Sequence, residues 1–168
     1  IDDPNFPREE IEALGLQVAF SGQRTYNGVA LLSRNALEDV VPGIPGFADE
    51  QKRVLAATIG GVRVIDVYVP NGQAVGSDKY EYKLRWLAAL RDYVAAELAR
   101  HPQLVILGDY NIAPDDRDVH DPKAWEGSVH VSEPERAALH ALLATGLEDC
   151  FRRFEQPAHL FRCGFPHG

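Results

Sequence analysis

The sequence has 168 residues, 45% hydrophobic and 25% charged, with a formal net charge of −8. That suits one globular domain with a sizeable core. The acidic balance argues against a protein held on nucleic acid by charge alone, while an enzyme that carries a divalent metal and touches few phosphates stays open.

No apolar run approaches the ~18 residues of a membrane span, so no membrane partner is expected. Cys150 and Cys163 match neither a C-x-x-C nor a zinc spacing and read as reduced thiols of a cytoplasmic chain. There is no methionine and the chain opens Ile1-Asp2-Asp3-Pro4, so it reads as a piece of a longer protein.

Pro7 to Ala13 reads as a short helix, with proline in its first turn, Glu9 and Glu10 at its positive end and Gly15 after it. Leu16, Val18 and Phe20 alternate with Gln17 and Ala19, as in a half-buried strand. Gly28 to Leu32 is a second strand, and Asp39 to Gly46, with two prolines and two glycines, is expected to be irregular. Arg53 to Ile59 and Val62 to Val69 are strands joined by Gly60-Gly61, an antiparallel hairpin signal.

Asp78 to Arg100 is the clearest helix. Asp78 and Glu81 resemble a capping box, and Leu84, Leu87, Leu90, Val94 and Leu98 form one apolar face. A strand at Leu104 to Leu107 follows, unalternating and expected to be covered on both faces. Ser132-Glu133-Pro134-Glu135 opens a last helix through Ala144, stopped by Gly146. Hairpins mixed with helices mean α+β or a layered α/β sandwich.

Two strand ends carry side chains suited to chemistry. Gly108 ends the Leu104 run, and Asp109 and Asn111 follow one residue apart. If the extended geometry persists, both point to the same side and can hold a cation, a water or a phosphate oxygen. Tyr68 ends the second hairpin strand before Pro70-Asn71-Gly72, with a ring for packing and a hydroxyl that reaches outward. The two ends could converge on one crevice.

Tyr68-x-Pro70-Asn71-Gly72, then Gly108-Asp109-Tyr110-Asn111-Ile112-Ala113-Pro114, then Asp116-x-Asp118-Val119 resemble the central motifs of the exonuclease III family. These are apurinic/apyrimidinic endonucleases of the deoxyribonuclease-I-like endonuclease/exonuclease/phosphatase superfamily. Tyr26-Asn27-Gly28-Val29-Ala30-Leu31-Leu32-Ser33 resembles the family's early core strand, Lys83-Leu84-Arg85-Trp86-Leu87 its central helix, and Ser132 to Arg136 with Gly146 to Arg152 its later segments. Each motif alone is weak; the ordered set, from about residue 5 to 156, is specific.

The resemblance implies a four-layer αββα sandwich and metal-dependent phosphodiester hydrolysis in DNA repair, as a 3′-5′ exodeoxyribonuclease or abasic-site endonuclease. It implies Mg²⁺ or Mn²⁺ as cofactor, double-stranded DNA with abasic sites as partner, and a monomer. Asp109 would accept a proton from the attacking water or hold it in line. Asn111 would donate to the phosphoryl oxygen. Asp109 and Asn111 would also help hold the metal. Tyr68 would lie beside the phosphate. Arg53 falls where the family places a DNA-contacting arginine, though a solvated strand residue reads as well. Lys79 and Lys83 fit a solvated helix face better than a DNA contact, Asp118 fits loop bracing, and Trp125 and His120 fit loop packing.

The family's opening Asn strand and Gln-Glu-Thr motif, and its closing Asp–His pair, have no match here. Glu9, Glu10 and His167 do not replace them, and 157–168 is an atypical tail behind a partial domain at 1–156. The chain alone is therefore expected to show little nuclease activity, with unpaired sheet edges. The alternatives are a superfamily phosphatase acting on another phosphoester, and a non-catalytic remnant that only binds.

Overall fold

In the computed structural model, which describes residues 1–155, Gly60 and Gly61 both take positive φ, 58° and 85°. That is what a two-residue hairpin turn of the favoured hand requires. The turn closes β4 (Val54–Ile59) onto β5 (Val62–Tyr68), antiparallel from Ile59↔Val62 to Val54↔Val67, as the sequence predicts. The atypical segment at 157–168, with Cys163 and His167, lies outside the described residues.

The chain forms two compact units. The first joins Ile1–Tyr68 to Ala96–Tyr110, and the second joins Val69–Ala95 to the described chain from Asn111. The first unit opens with α1 (Arg8–Ala13), then β1 (Gln17–Ser21) and β2 (Val29–Ser33), a two-stranded antiparallel sheet. Its second sheet has the order β3-β4-β5-β6, with β3 at Glu38–Pro42 and β6 at Leu104–Asp109. Strand β6 runs parallel to β5, from Arg63↔Leu104 to Tyr68↔Asp109. A parallel pair needs a crossover, and α2 (Asp78–Arg100) lies between the two strands in the chain. Val29, Leu31, Leu55 and Ala57 form a buried cluster, with Ala19, Leu37, Val64 and Tyr68 packed against it, so β2 faces β4 and β5 across an apolar cluster.

The second unit carries most of α2, then α3 (Pro122–Trp125) and α4 (Glu133–Leu143). Trp86, Leu87, Leu90 and Val94 on α2, Ile112 and Ala113 after β6, and Leu139 and Leu142 on α4 are buried. Two sheets with helices make a mixed α/β fold, as expected. Among the described residues, no helix is long and apolar enough to cross a membrane.

Three expectations need correction. Asp39 to Gly46 is not wholly irregular, because Glu38–Pro42 pairs with β4 through Glu38↔Thr58 and Pro42↔Leu55, with a register shift at Glu38/Val41. It is an outer strand, where a bulge and a terminal proline are tolerated. The cap of α2 is Ser77, whose Oγ accepts from Tyr80 N at 3.2 Å, one residue before the expected Asp78. Strand β6 is not covered on both faces: Val105 and Leu107 are 38% and 44% exposed, and among the described strands β6 pairs only with β5.

Asp66 is a half-buried carboxylate within β5, with Leu55 and Leu107 as its lateral neighbours. Burial pushes its carboxyl above the usual carboxylate range, against the opposing hydrogen bonds from backbone Ala30 and Val67. Such a group holds its proton more tightly folded than unfolded, so folding loses stability as pH rises through the folded pKa. Asp66→Asn should therefore raise the urea midpoint at pH 7, with the gain vanishing below about pH 4, where both states of the original carboxyl are protonated. An equal gain at pH 3 and pH 7 would mean that packing, not charge, is responsible.

Candidate active site

Tyr68 and Asp109 are the last residues of β5 and β6, paired across the parallel ladder. Lateral partners in a sheet carry their side chains on the same face, so the phenol and the carboxylate stand side by side in the first unit. The two strand ends lie side by side in the sheet. The Tyr68 ring is partly buried against the inter-sheet cluster. Its backbone carbonyl accepts from Arg53 Nη1 at 3.0 Å, and the Arg53 guanidinium lies 4.9 Å from the ring centroid. Arg53 Nε donates to Gln51 Oε1 at 2.7 Å, which also accepts from Asn27. Arg53 is thus tied down beside Tyr68.

Gly108 makes the pairing possible. Its φ is +131°, and a Cβ built there would sit 1.9 Å from the Val67 carbonyl oxygen. No side chain fits in that gap, so the residue before Asp109 has to be glycine.

Beyond Asp109 the extended geometry stops. Strand β6 ends there, and Asn111 takes φ +47°, a left-handed conformation that asparagine tolerates better than most residues. The expectation that Asp109 and Asn111 share one side by strand alternation fails for this reason. Two peptide bonds still hold their Cα atoms within about 7 Å.

In the second unit, Asn111 Nδ2 donates to the Val69 carbonyl at 2.9 Å, tying this segment to the one that follows Tyr68. Lys83 Nζ donates to the carbonyls of Asn111 (2.6 Å) and Asn71 (3.2 Å) and to Glu135 Oε1 (2.5 Å). Both charged side chains are 0% exposed. This overturns the reading of Lys83 as part of a solvated helix face. The buried stripe of α2 runs Tyr80, Lys83, Leu87, Leu90, Val94, Glu97, at steps of three and four. Lys79 is exposed, as expected.

Glu135 Oε2 accepts from the backbone N–H of His130 (2.8 Å) and of Ser132 (3.3 Å), the latter closing the predicted capping box of α4. Asn71 Oδ1 accepts from Gln73 N at 3.0 Å, which leaves Nδ2 turned to His130 Nε2 at 3.0 Å. An amide nitrogen only donates, so in this arrangement the imidazole nitrogen is the acceptor. The His130 ring also stacks on Trp125, centroids 6.2 Å apart. Asn71 and His130 carried no assignment from sequence. The Pro-Asn-Gly run was the available signal for Asn71; His130 had none.

Asp118 braces its loop, as expected. It is fully buried and accepts from Arg152 Nη2 at 2.5 Å and Asp115 N at 3.2 Å. Arg136 ties the same loop down through Ala113 O (3.1 Å) and Asp116 (2.9 Å).

Among the described residues no three His, Cys, Asp or Glu side chains gather to hold a metal ion. Asp109 offers one carboxylate, and the Asn111 amide nitrogen is turned to Val69. These residues alone do not make a site for a hard divalent cation, which wants about six oxygens.

Residues 3–162 match the family model described as Endonuclease/Exonuclease/phosphatase family. The chain is 33% identical over 171 residues to an exodeoxyribonuclease III of Haemophilus influenzae, covering 95% of this chain and 64% of that protein. A solved 3′ phosphatase from Neisseria, bound to product DNA hairpin, superposes with a TM-score of 0.90 at 46% identity, covering 91% of this chain and 60% of that one. An AP endonuclease from Archaeoglobus fulgidus gives 0.87 at 35% identity, with the same coverage. The chain thus spans less than two thirds of the length of these relatives.

Gly108→Ala would force its Cβ into the Val67 carbonyl, and the expected cost is at least about 2 kcal/mol. Chemical denaturation measures it. A cost under 0.5 kcal/mol would mean that the β5–β6 approach is not as close as described.

Proposed function

The chain belongs to the Endonuclease/Exonuclease/phosphatase family, and from that premise we propose that it carries part of the hydrolytic centre of a DNA-repair nuclease, one that cleaves phosphoesters in double-stranded DNA. The observation that carries this reading is the side-by-side placement of Tyr68 and Asp109 at adjacent strand ends.

Asp109 takes the proton of the attacking water, or holds that water in line with the phosphorus. The Tyr68 hydroxyl donates to a non-bridging phosphate oxygen, supported from behind by Arg53. The Asn111 carboxamide has two N–H donors and one acceptor. Its bond to Val69 sets the direction of the group, which donates to the phosphoryl oxygen as negative charge grows there. Arg53 contacts the DNA backbone at the edge of this centre. The resemblance implies a divalent cation, Mg²⁺ or Mn²⁺, which would supply charge neutralisation at the phosphate. The substrates in this reading are a 3′-terminal nucleotide, a 3′-phosphate or an abasic site.

The test uses the 168-residue chain and the same chain joined to the flanking segments of the Neisseria relative, assayed with Mg²⁺. Substrates are a 3′-phosphorylated DNA hairpin, an abasic duplex and an inositol phosphate. The joined protein is expected to hydrolyse DNA and leave the inositol phosphate intact. In it, Asn111→Ala should lower kcat ~10²–10³-fold, as loss of one transition-state donor does. Asp109→Asn should lower it ~10²–10⁴-fold. Preference for the inositol phosphate, or indifference to both substitutions, would reject the reading.

A further inference from the structure

We propose that Lys83 is a positioning residue for this centre: its buried ammonium holds the Asn71 and Asn111 backbones in the one arrangement that aims the Asn111 carboxamide. This rests on the reading of Asn111 as the phosphate-facing donor.

The geometry is confined to the second unit. Lys83 reaches up from α2 to two carbonyls that are distant in sequence, Asn71 O at 3.2 Å and Asn111 O at 2.6 Å. Its third partner is Glu135 on α4, 2.5 Å away. An ammonium has three donors, enough to serve all three of these acceptors at once. Asn111 stands at φ +47°, a conformation that asparagine tolerates but that is not the default for a residue with a side chain. Something must hold it there, and a charge-assisted hydrogen bond to its own carbonyl is a strong local restraint. The Asn111 Nδ2 bond to Val69 O then fixes the side chain from the other end.

The Asn71 segment is shaped to let the lysine through. Gly72, at φ +92°, would place a Cβ 3.1 Å from Lys83 Cδ and 3.1 Å from Val129 Cγ2. A side chain at 72 would crowd the aliphatic stem, and the positive φ there favours glycine. Tyr80, one turn earlier on α2, bonds Ser132 Oγ at 2.6 Å, so α2 and the start of α4 are joined at two successive turns. Lysine and glutamate rarely sit fully buried unless paired, and a pair buried this completely adds little net stability. What it supplies is position.

The experiment must separate positioning from folding. Removing Lys83 alone leaves Glu135 as an unpaired buried charge, so Lys83→Met is compared with Lys83→Met/Glu135→Gln. In the double variant no charge is orphaned, and the glutamine oxygen can still accept from His130 and Ser132. Lys83→Arg is the conservative arm. For each folded protein, two-dimensional nitrogen–proton spectra follow the Asn111 side-chain amide and the Asn71 and Asn111 backbone amides.

The expected result is a double variant that melts cooperatively while its Asn111 side-chain signals move to free-amide positions and the Asn111 backbone amide exchanges at least tenfold faster. Lys83→Arg should restore these signals at least in part. A cooperatively folded double variant with unchanged Asn111 signals would reduce Lys83 to packing and overturn the proposal.

If no variant folds, the unmodified chain decides. A through-hydrogen-bond coupling from the Lys83 ammonium to the Asn111 carbonyl carbon is expected, and a fast-exchanging ammonium without it would also overturn the proposal. None of these readouts involves turnover. Absence of DNA hydrolysis with the Asn111 result intact would count against the proposed reaction and not against the role of Lys83.

Discussion

An ammonium removed from water must find all its partners inside the protein, and Lys83 does so by drawing three separate pieces of chain to one point. Glu135 comes from α4, Asn71 from the segment after β5, and Asn111 from the segment after β6. A buried unpaired charge is far costlier than any of these chain segments is worth, so they can shift only together. Glu135 extends the constraint through its other oxygen to His130 and Ser132. His130 in turn meets Asn71. The network closes on itself, and the motif side chains hang from it.

The first unit solves a different problem. There the requirement is to bring a phenol and a carboxylate onto one face at adjacent strand ends. Parallel pairing of β5 and β6 does this by register alone, because Tyr68 and Asp109 are lateral partners. The cost falls on Gly108, where β6 approaches Val67 too closely for any side chain. A second buried pair, Arg63 with Glu97, anchors the start of β5 to the C-terminal end of α2 at 2.5 Å, and Arg100 adds to it. In this unit the ion pair sits at the opposite end of β5 from Tyr68.

Local rules carried far in the sequence. The Gly-Gly turn and the capping box at Ser132 and Glu135 both depend on neighbours within a few residues, and both formed as read. What could not be read was decided by distant partners. Lys83 looks solvated on a helical wheel because only Glu135, 52 residues away, makes its burial tolerable. Glu97 is hidden in the same manner behind Arg63. The apolar face is right at Leu87, Leu90 and Val94, but at its ends Lys83 and Glu97 are buried where Leu84 and Leu98 were expected. Asn111 looked extended because nothing local announces a positive φ. Residues 38–42 looked irregular because proline and glycine were counted without knowing that the strand lies at a sheet edge.

The same partnerships bear on how an acidic chain could meet a phosphate. Lys83, Arg63, Arg136 and Arg152 each have a carboxylate partner within the fold, so these cations act mainly inward. With a net charge of −8, long-range attraction to a polyanion is weak or adverse. In the proposed reading a phosphoester is met at close range by fixed neutral donors instead of being drawn in by long-range charge. Neutral donors cannot gather DNA from a distance, but fixed in place they distinguish growing negative charge from the charge already present. In the second unit the buried Lys83–Glu135 pair holds the Asn111 backbone, so interior electrostatics, more than surface charge, shapes that part of the chain.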